Sequence, residues 1–245
     1  MTDFTLNTYR SLLSALSLHK NHRIRHDVDA RPAFSLRMAQ IEEEMGVHST
    51  YYFRSKHFVS YADTIRAISA LGHEVGYHYE CLTTCRGDIQ AAYDDFCRNL
   101  DTLRNIAPVT SACAHGSPRS PWNSQDIWNQ FDYHATGITH ESMLDTDFST
   151  TLYLTDTGRR WDGFRVSVRD KVPQYQEEWN RNGLSFHTTD EIIHALNDLH
   201  HQIHQKKLLV NTHPQRWIPF GLAWIEEATL QKGKNIIKHI IVSTR

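Results

Sequence analysis

Short apolar or β-branched runs alternate along the chain with segments in which apolar residues recur at helical spacing. Residues 23–27, 50–53, 74–78, 109–114 and 208–211 predict strands, and 32–45, 62–71, 88–106 and 188–206 between them predict helices. Strands separated by helices predict a largely parallel sheet, because a parallel pair needs a crossover rather than a tight turn. Pro32 suits the first turn of its helix, where the missing N–H costs nothing, and Gly46 stands where a C-cap would. The stretch 117–173 has prolines, glycines and aromatics but few periods, and predicts loops and short strands covering a site. Residues 220–242 begin as a helix, and from Ile236 either helix or strand fits. No repeat, low-complexity tract or linker divides the chain, so residues 1–245 are expected to form one domain.

Composition removes several classes. With 40% hydrophobic and 22% charged residues the chain is neither disordered nor collagen-like. A formal net charge of −2 gives no strong field for nucleic acid or an anionic membrane. The N-terminus lacks a basic start and an unbroken apolar run, and no segment reaches the eighteen or so apolar residues of a membrane span, so a cytoplasmic protein is expected. Four cysteines are too few for a disulfide scaffold and are expected to be reduced. Cys81 and Cys85 could ligate zinc, but no second pair supports them and they are expected to be incidental thiols. Histidine is the unusual residue, with 17 copies of a side chain that binds metals and titrates near neutrality.

Candidate chemistry gathers just after the predicted strands, where the loops of a parallel sheet converge on one face. Asp27 and Asp29 share a side of their strand, about 7 Å apart, and could divide cation binding and proton handling between them; the structural alternative is a strand end plus a helix cap at Asp29. His78 and Glu80 follow the next such strand, whereas His73 precedes it and is expected to be structural. His115 opens a third loop, in which Gly116 permits a tight turn and Arg119 could bind an oxyanion. His213 leaves the last strand immediately before Pro214, placed to act as an acid into the same opening. His200 and His204 are four apart like a zinc-binding helix pair, but no glutamate follows His200 and a solvated surface is expected.

The motifs HDVD at 26–29, GHEVGYH at 72–78, HGSPRSPW at 115–122 and LLVNTH at 208–213 resemble, in that order, the polysaccharide deacetylase superfamily, carbohydrate esterase family four. The second strand at 49–53 is also similar, and RHDVDARP with GYHYE looks closest to deacetylases of bacterial surface polysaccharide, such as O-antigen in lipopolysaccharide. The resemblance implies a distorted (β/α) barrel of about seven parallel strands and a divalent metal, zinc first, with cobalt or nickel as alternatives. It implies Asp27 as general base, Asp29 and His78 as metal ligands and His213 as general acid. Glu80, Arg119, Trp122, Arg160 and Trp161 are expected around the sugar. The chain departs from the family at two places. Asp27 and Asp29 are separated by one residue, so their roles could be exchanged, and Leu82 stands where the family has its third ligand; His115 is the first replacement and Glu80 the second.

The activity implied is removal of an N-acetyl group from an acetamido sugar, presented as a nucleotide sugar, a lipid-linked intermediate or a glycan. Two alternatives keep the same barrel: a non-catalytic sugar- or metal-binding relative, and a metal-independent amide hydrolase. A haloacid dehalogenase-type phosphatase, which also uses Asp-x-Asp after a strand, fits poorly because Arg31 stands where that motif needs Thr or Val.

Overall fold

The computed structural model describes residues 2–117, 120–165, 167 and 169–243. Helix α1 (Leu6–Leu16) is capped by Thr5, whose hydroxyl accepts from the Thr8 N–H, and leads into β1 (His22–Val28) and α2 (Ala33–Glu44). Next come β2 (Thr50–Phe53), α3 (Ala62–Ala70), β3 (Glu74–Tyr79), the single turn α4 (Cys81–Thr84), α5 (Ile89–Arg104) and β4 (Ser111–Ala114). The rest of the chain supplies β5 (His140–Glu141), β6 (Thr151–Thr155), α6 (Pro173–Arg181), α7 (Thr189–Asn197), β7 (Lys207–Thr212) and α8 (Leu222–Ser243). The seven strands are all parallel, in the order β5-β4-β3-β2-β1-β7-β6. Surrounded by helices, they make the expected distorted (β/α) barrel; among the described residues nothing pairs β5 with β6, so it is open there. No described helix is long and apolar enough to cross a membrane.

Two apolar clusters hold the helices to the sheet. One joins Leu12 and Leu16 of α1 and Ile192 and Leu196 of α7 to Leu208 and Val210 of β7, and the other joins Ile65 and Ile68 of α3 and Phe96 and Leu100 of α5 to Val75 and Tyr77 of β3. The central strand β1 is different: Arg25, His26 and Asp27 are all buried in it. A buried charge is tolerable only when paired and hydrogen-bonded, and both faces of β1 meet that demand. Toward α2, His26 lies 2.8 Å from Glu42, which also accepts from the Tyr51 hydroxyl at 2.6 Å, the Ser49 hydroxyl at 2.7 Å and the Tyr9 hydroxyl. His26 Nδ1 closes that network on Thr212 Oγ1, locking β1 to β7. Arg25 and Asp27 face the opposite way, into the site.

The five sequence-predicted strands form within a few residues of their expected bounds, as do three of the helices. The expected helix over 188–206 stops at Asn197 and continues only as a short 3-10 turn, Gln202–Gln205. His200 is therefore exposed and His204 Nε2 donates to the Leu196 carbonyl, so the pair never forms a helix face. From Ile236 the chain is helix, not strand. The irregular stretch contains β5 and β6, and α1 and α6 went unassigned in the sequence.

Candidate metal and catalytic site

The carboxyl ends of β1, β3, β4 and β7 open into a cavity of about 570 Å³ lined by Asp27, Asp29, His78, His115 and His213 among others. Asp29 is its centre. His115 Nε2 lies 3.2 Å and His78 Nε2 3.6 Å from Asp29 Oδ1, while His213 Nε2 lies 3.7 Å from Asp29 Oδ2. Each imidazole is oriented from behind. The Cys113 carbonyl stands 2.9 Å from His78 Nδ1, Glu80 Oε2 3.1 Å from His115 Nδ1, and Asp156 Oδ1 2.6 Å from His213 Nδ1. For His78 and His115 these partners accept, so Nδ1 carries a proton and Nε2 is aimed at Asp29, the arrangement by which a backing acceptor fixes the tautomer of a ligating histidine, whereas His213 Nδ1 meets both Asp156 and, at 2.7 Å, the Arg216 guanidinium. Asp29 does not cap α2, whose first turn has no side-chain cap.

The donor set of Asp29, His78 and His115, each offering one atom within 4.8 Å of the others, suits a divalent cation of the zinc type. Two observations support the fit. Asp29 Oδ1 is buried yet makes no hydrogen bond, so lone pairs of one oxygen and two nitrogens face one another, an arrangement that a cation or an extra proton relieves. The second is the donor chemistry itself: one carboxylate and two imidazoles, each imidazole backed by an acceptor, are ligands of the kind that hold zinc. Burial would push the Asp29 carboxyl up, but His115, His78 and His213 hold it well below the usual carboxylate range. Burial likewise works against the His115 imidazolium, and Asp29 and Glu80 outweigh it, pushing it up to about 9. Asp27, His78 and the Cys113 thiol form a second group of the same size, but burial holds that thiol well above its ordinary range.

Asp27 is held on one side only. Asn211 Nδ2 at 2.9 Å and Arg25 Nη2 at 3.2 Å both donate to its Oδ2, while the buried Oδ1 makes no hydrogen bond. Arg25 is itself fixed by the Tyr153 hydroxyl at 2.9 Å and Ser142 at 2.9 Å, and Tyr153 donates onward to Asp170. On the other side of the site Asp156 accepts from His213, Arg216 and Trp217; burial would raise its pKa, but Arg216 and His213 bring it to about 2.

The remaining sequence-predicted residues are scattered. Glu80 meets Arg54 Nη2 at 2.6 Å and His115, so it positions a histidine at the edge of the cavity. Leu82 is buried in apolar surroundings on α4 and points no donor at the site. Trp122 lies over Gly87, where any Cβ would meet its indole at 2.3 Å, and its neighbours Asn123 and Gln125 line the cavity in its stead. Arg160 forms a fork with Asp162 away from the cavity, and Trp161 is buried in the core, donating to Thr189 at 2.8 Å. Arg119 lies outside the described residues. Arg25, Asn211, Asp156, Asp170 and Arg216 were not singled out in the sequence; Arg25, two residues before Asp27 on one strand face, carried a usable signal.

No protein-family model and no curated protein matches the chain. Solved structures it is similar to include a CE4 esterase from Streptococcus mutans (14% identity over 96% of this chain and 88% of that one, TM-score 0.48). A peptidoglycan deacetylase from Bacillus subtilis is similar at 15% identity, over 90% of this chain and 96% of that one, with a TM-score of 0.43. A CE4 family pseudoenzyme from Bacillus anthracis is similar at 11% identity over 90% of this chain, with a TM-score of 0.44; this chain spans 62% of its length. The likeness is one of fold.

Proposed function

We propose that the protein is a metal-dependent hydrolase that removes the N-acetyl group of an acetamido sugar. The observation that carries this reading is the convergence of three backed histidines on Asp29, with Asp27 beside them, in one cavity. A divalent cation held by Asp29, His78 and His115, zinc by preference, would polarise the acetamide carbonyl and acidify water. Asp27 serves as general base in this reading, which is supported by Oδ2 being tied down by Arg25 and Asn211 while Oδ1 is left to take the proton of the attacking water. Water adds to the carbonyl carbon, the C–N bond breaks, and His213, entering the cycle as the imidazolium with its Nδ1–H on Asp156, gives its Nε2 proton to the departing amine. Acetate and a free amino sugar result. The HDVD and GYHYE motifs support a setting in the cytoplasmic synthesis of a bacterial surface polysaccharide such as O-antigen.

Metal-loaded protein incubated with N-acetylated sugars is expected to release acetate, and dialysis against chelator to stop it. Asp27→Asn is expected to reduce release at least about a hundredfold while elemental analysis still finds the metal. Full activity in Asp27→Asn would refute the role of Asp27, and full activity without metal would favour a metal-independent hydrolase.

A further inference from the structure

The arginines deep in the cavity are paired, whereas several cations at its mouth are not. Arg25 is committed to Asp27, Arg216 to Asp156, and Arg54 to Glu80. The lining also includes Arg31, Lys171 and Lys234, all partly or largely exposed, from three separate stretches: the loop after β1, the segment before α6, and α8. Among the described residues the Lys171 and Lys234 ammonium groups have no hydrogen-bond or ion-pair partner. Arg31 comes no nearer to a carboxylate than 3.9 Å, from the exposed Glu226. Glu227, the acid that α8 adds to the lining, is buried and acts on Arg159. Arg31 also holds φ at 49°, a region unfavourable for a residue with a side chain, in a turn fixed by its carbonyl accepting from the Phe34 N–H.

Like charges gathered round one opening repel one another, and an anion placed among them relieves that repulsion and speeds encounter. A neutral sugar does neither. We infer that the acetamido sugar accepted by this site carries an anionic group, a phosphate ester or a carboxylate, received by Arg31, Lys171 and Lys234 while the acetamide lies against Asp27 and His213. The inference rests on the deacetylase reading for the chemistry, but the anion recognition can be measured without turnover.

Calorimetry on protein stripped of metal and dialysed reads binding of N-acetylglucosamine, its 1-phosphate and its uronic acid. At least one anionic sugar is expected to bind about tenfold tighter than the neutral one, with the advantage lost in the Lys171→Gln/Lys234→Gln double variant and eroded by salt. Preference for the phosphate or for the uronic acid identifies the anion, and either supports the proposal. Equal binding of all three sugars, or an anionic advantage unchanged in the double variant, overturns it. Acetate release by the metal-loaded protein reads the chemistry separately. Release from none of the three, with the anionic advantage intact, overturns the deacetylase reading and leaves the anion site standing.

Discussion

Leu82 and His115 carry the chain's main departure from the motif pattern it resembles. Leu82 sits at 3% exposure on a single-turn helix facing apolar neighbours, so restoring a histidine there would bury an imidazole rather than add a ligand. Leu82→His is expected to cost about 2–3 kcal/mol in urea unfolding without tightening metal binding; tighter metal binding would show that α4 can turn toward the site. Asp156 makes a prediction of opposite kind. Its carboxyl titrates near 2 in the folded protein against an ordinary 3.8, so it contributes stability that is complete above pH 4 and is lost as pH falls through about 2. Wild-type protein is therefore expected to lose about 2 kcal/mol more than Asp156→Asn between pH 4 and pH 2, measured by denaturant titration at each pH. Equal losses would mean that Arg216 and His213 do not hold the charge. None of this was visible in the sequence, because the strand before Asp156 lies within the irregular stretch of prolines, glycines and aromatics at 117–173, whereas His78, His115 and His213 were legible from their places after strands set between helical segments.

At the scale of elements, β1 is the strand on which everything depends, and it is positioned partly by a glycine two strands away. Gly76 of β3 lies against the ring of Tyr52 of β2, where an added Cβ would meet ring carbons at 2.4 Å. Arg25 of β1 lies over the other part of that contact, 5.9 Å from the Tyr52 ring centroid. Gly76→Ala is expected to displace Tyr52 toward Arg25, destabilising the fold by about 1–3 kcal/mol and loosening the grip on Asp27. A lowered urea midpoint together with reduced acetate release would bear this out, and an unchanged midpoint would contradict it. Five of the strands were legible because each is a short apolar run between turn residues, and β5 and β6 were not because they lie in the irregular stretch. α7 was overestimated because the helical spacing of apolar residues runs on past Asn197, although the backbone stops there and re-forms as a 3-10 turn. The aromatic residues were misleading for another reason: Trp161 has the composition of a sugar-stacking residue, and only its hydrogen bond to Thr189 and its burial assign it to packing.

For the molecule as a whole, a ligand that binds only the folded state stabilises it by mass action. A divalent cation at a hundred times its dissociation constant is expected to add about 2.7 kcal/mol, seen as a rise in the thermal midpoint that chelator reverses. A midpoint indifferent to zinc, cobalt and nickel would contradict the metal assignment. The strand order carries a kinetic consequence. β7 enters the sheet between β1 and β6, so Asn211 meets Asp27 across 184 residues of sequence. Contacts of such separation close late and slowly, because the intervening loop must be ordered before they reward it. Until β7 arrives, one edge of β1 is an open template for any other strand, and Asp27 lacks one of the two donors that hold it. Refolding is therefore expected to regain strand and helix signal before it regains activity.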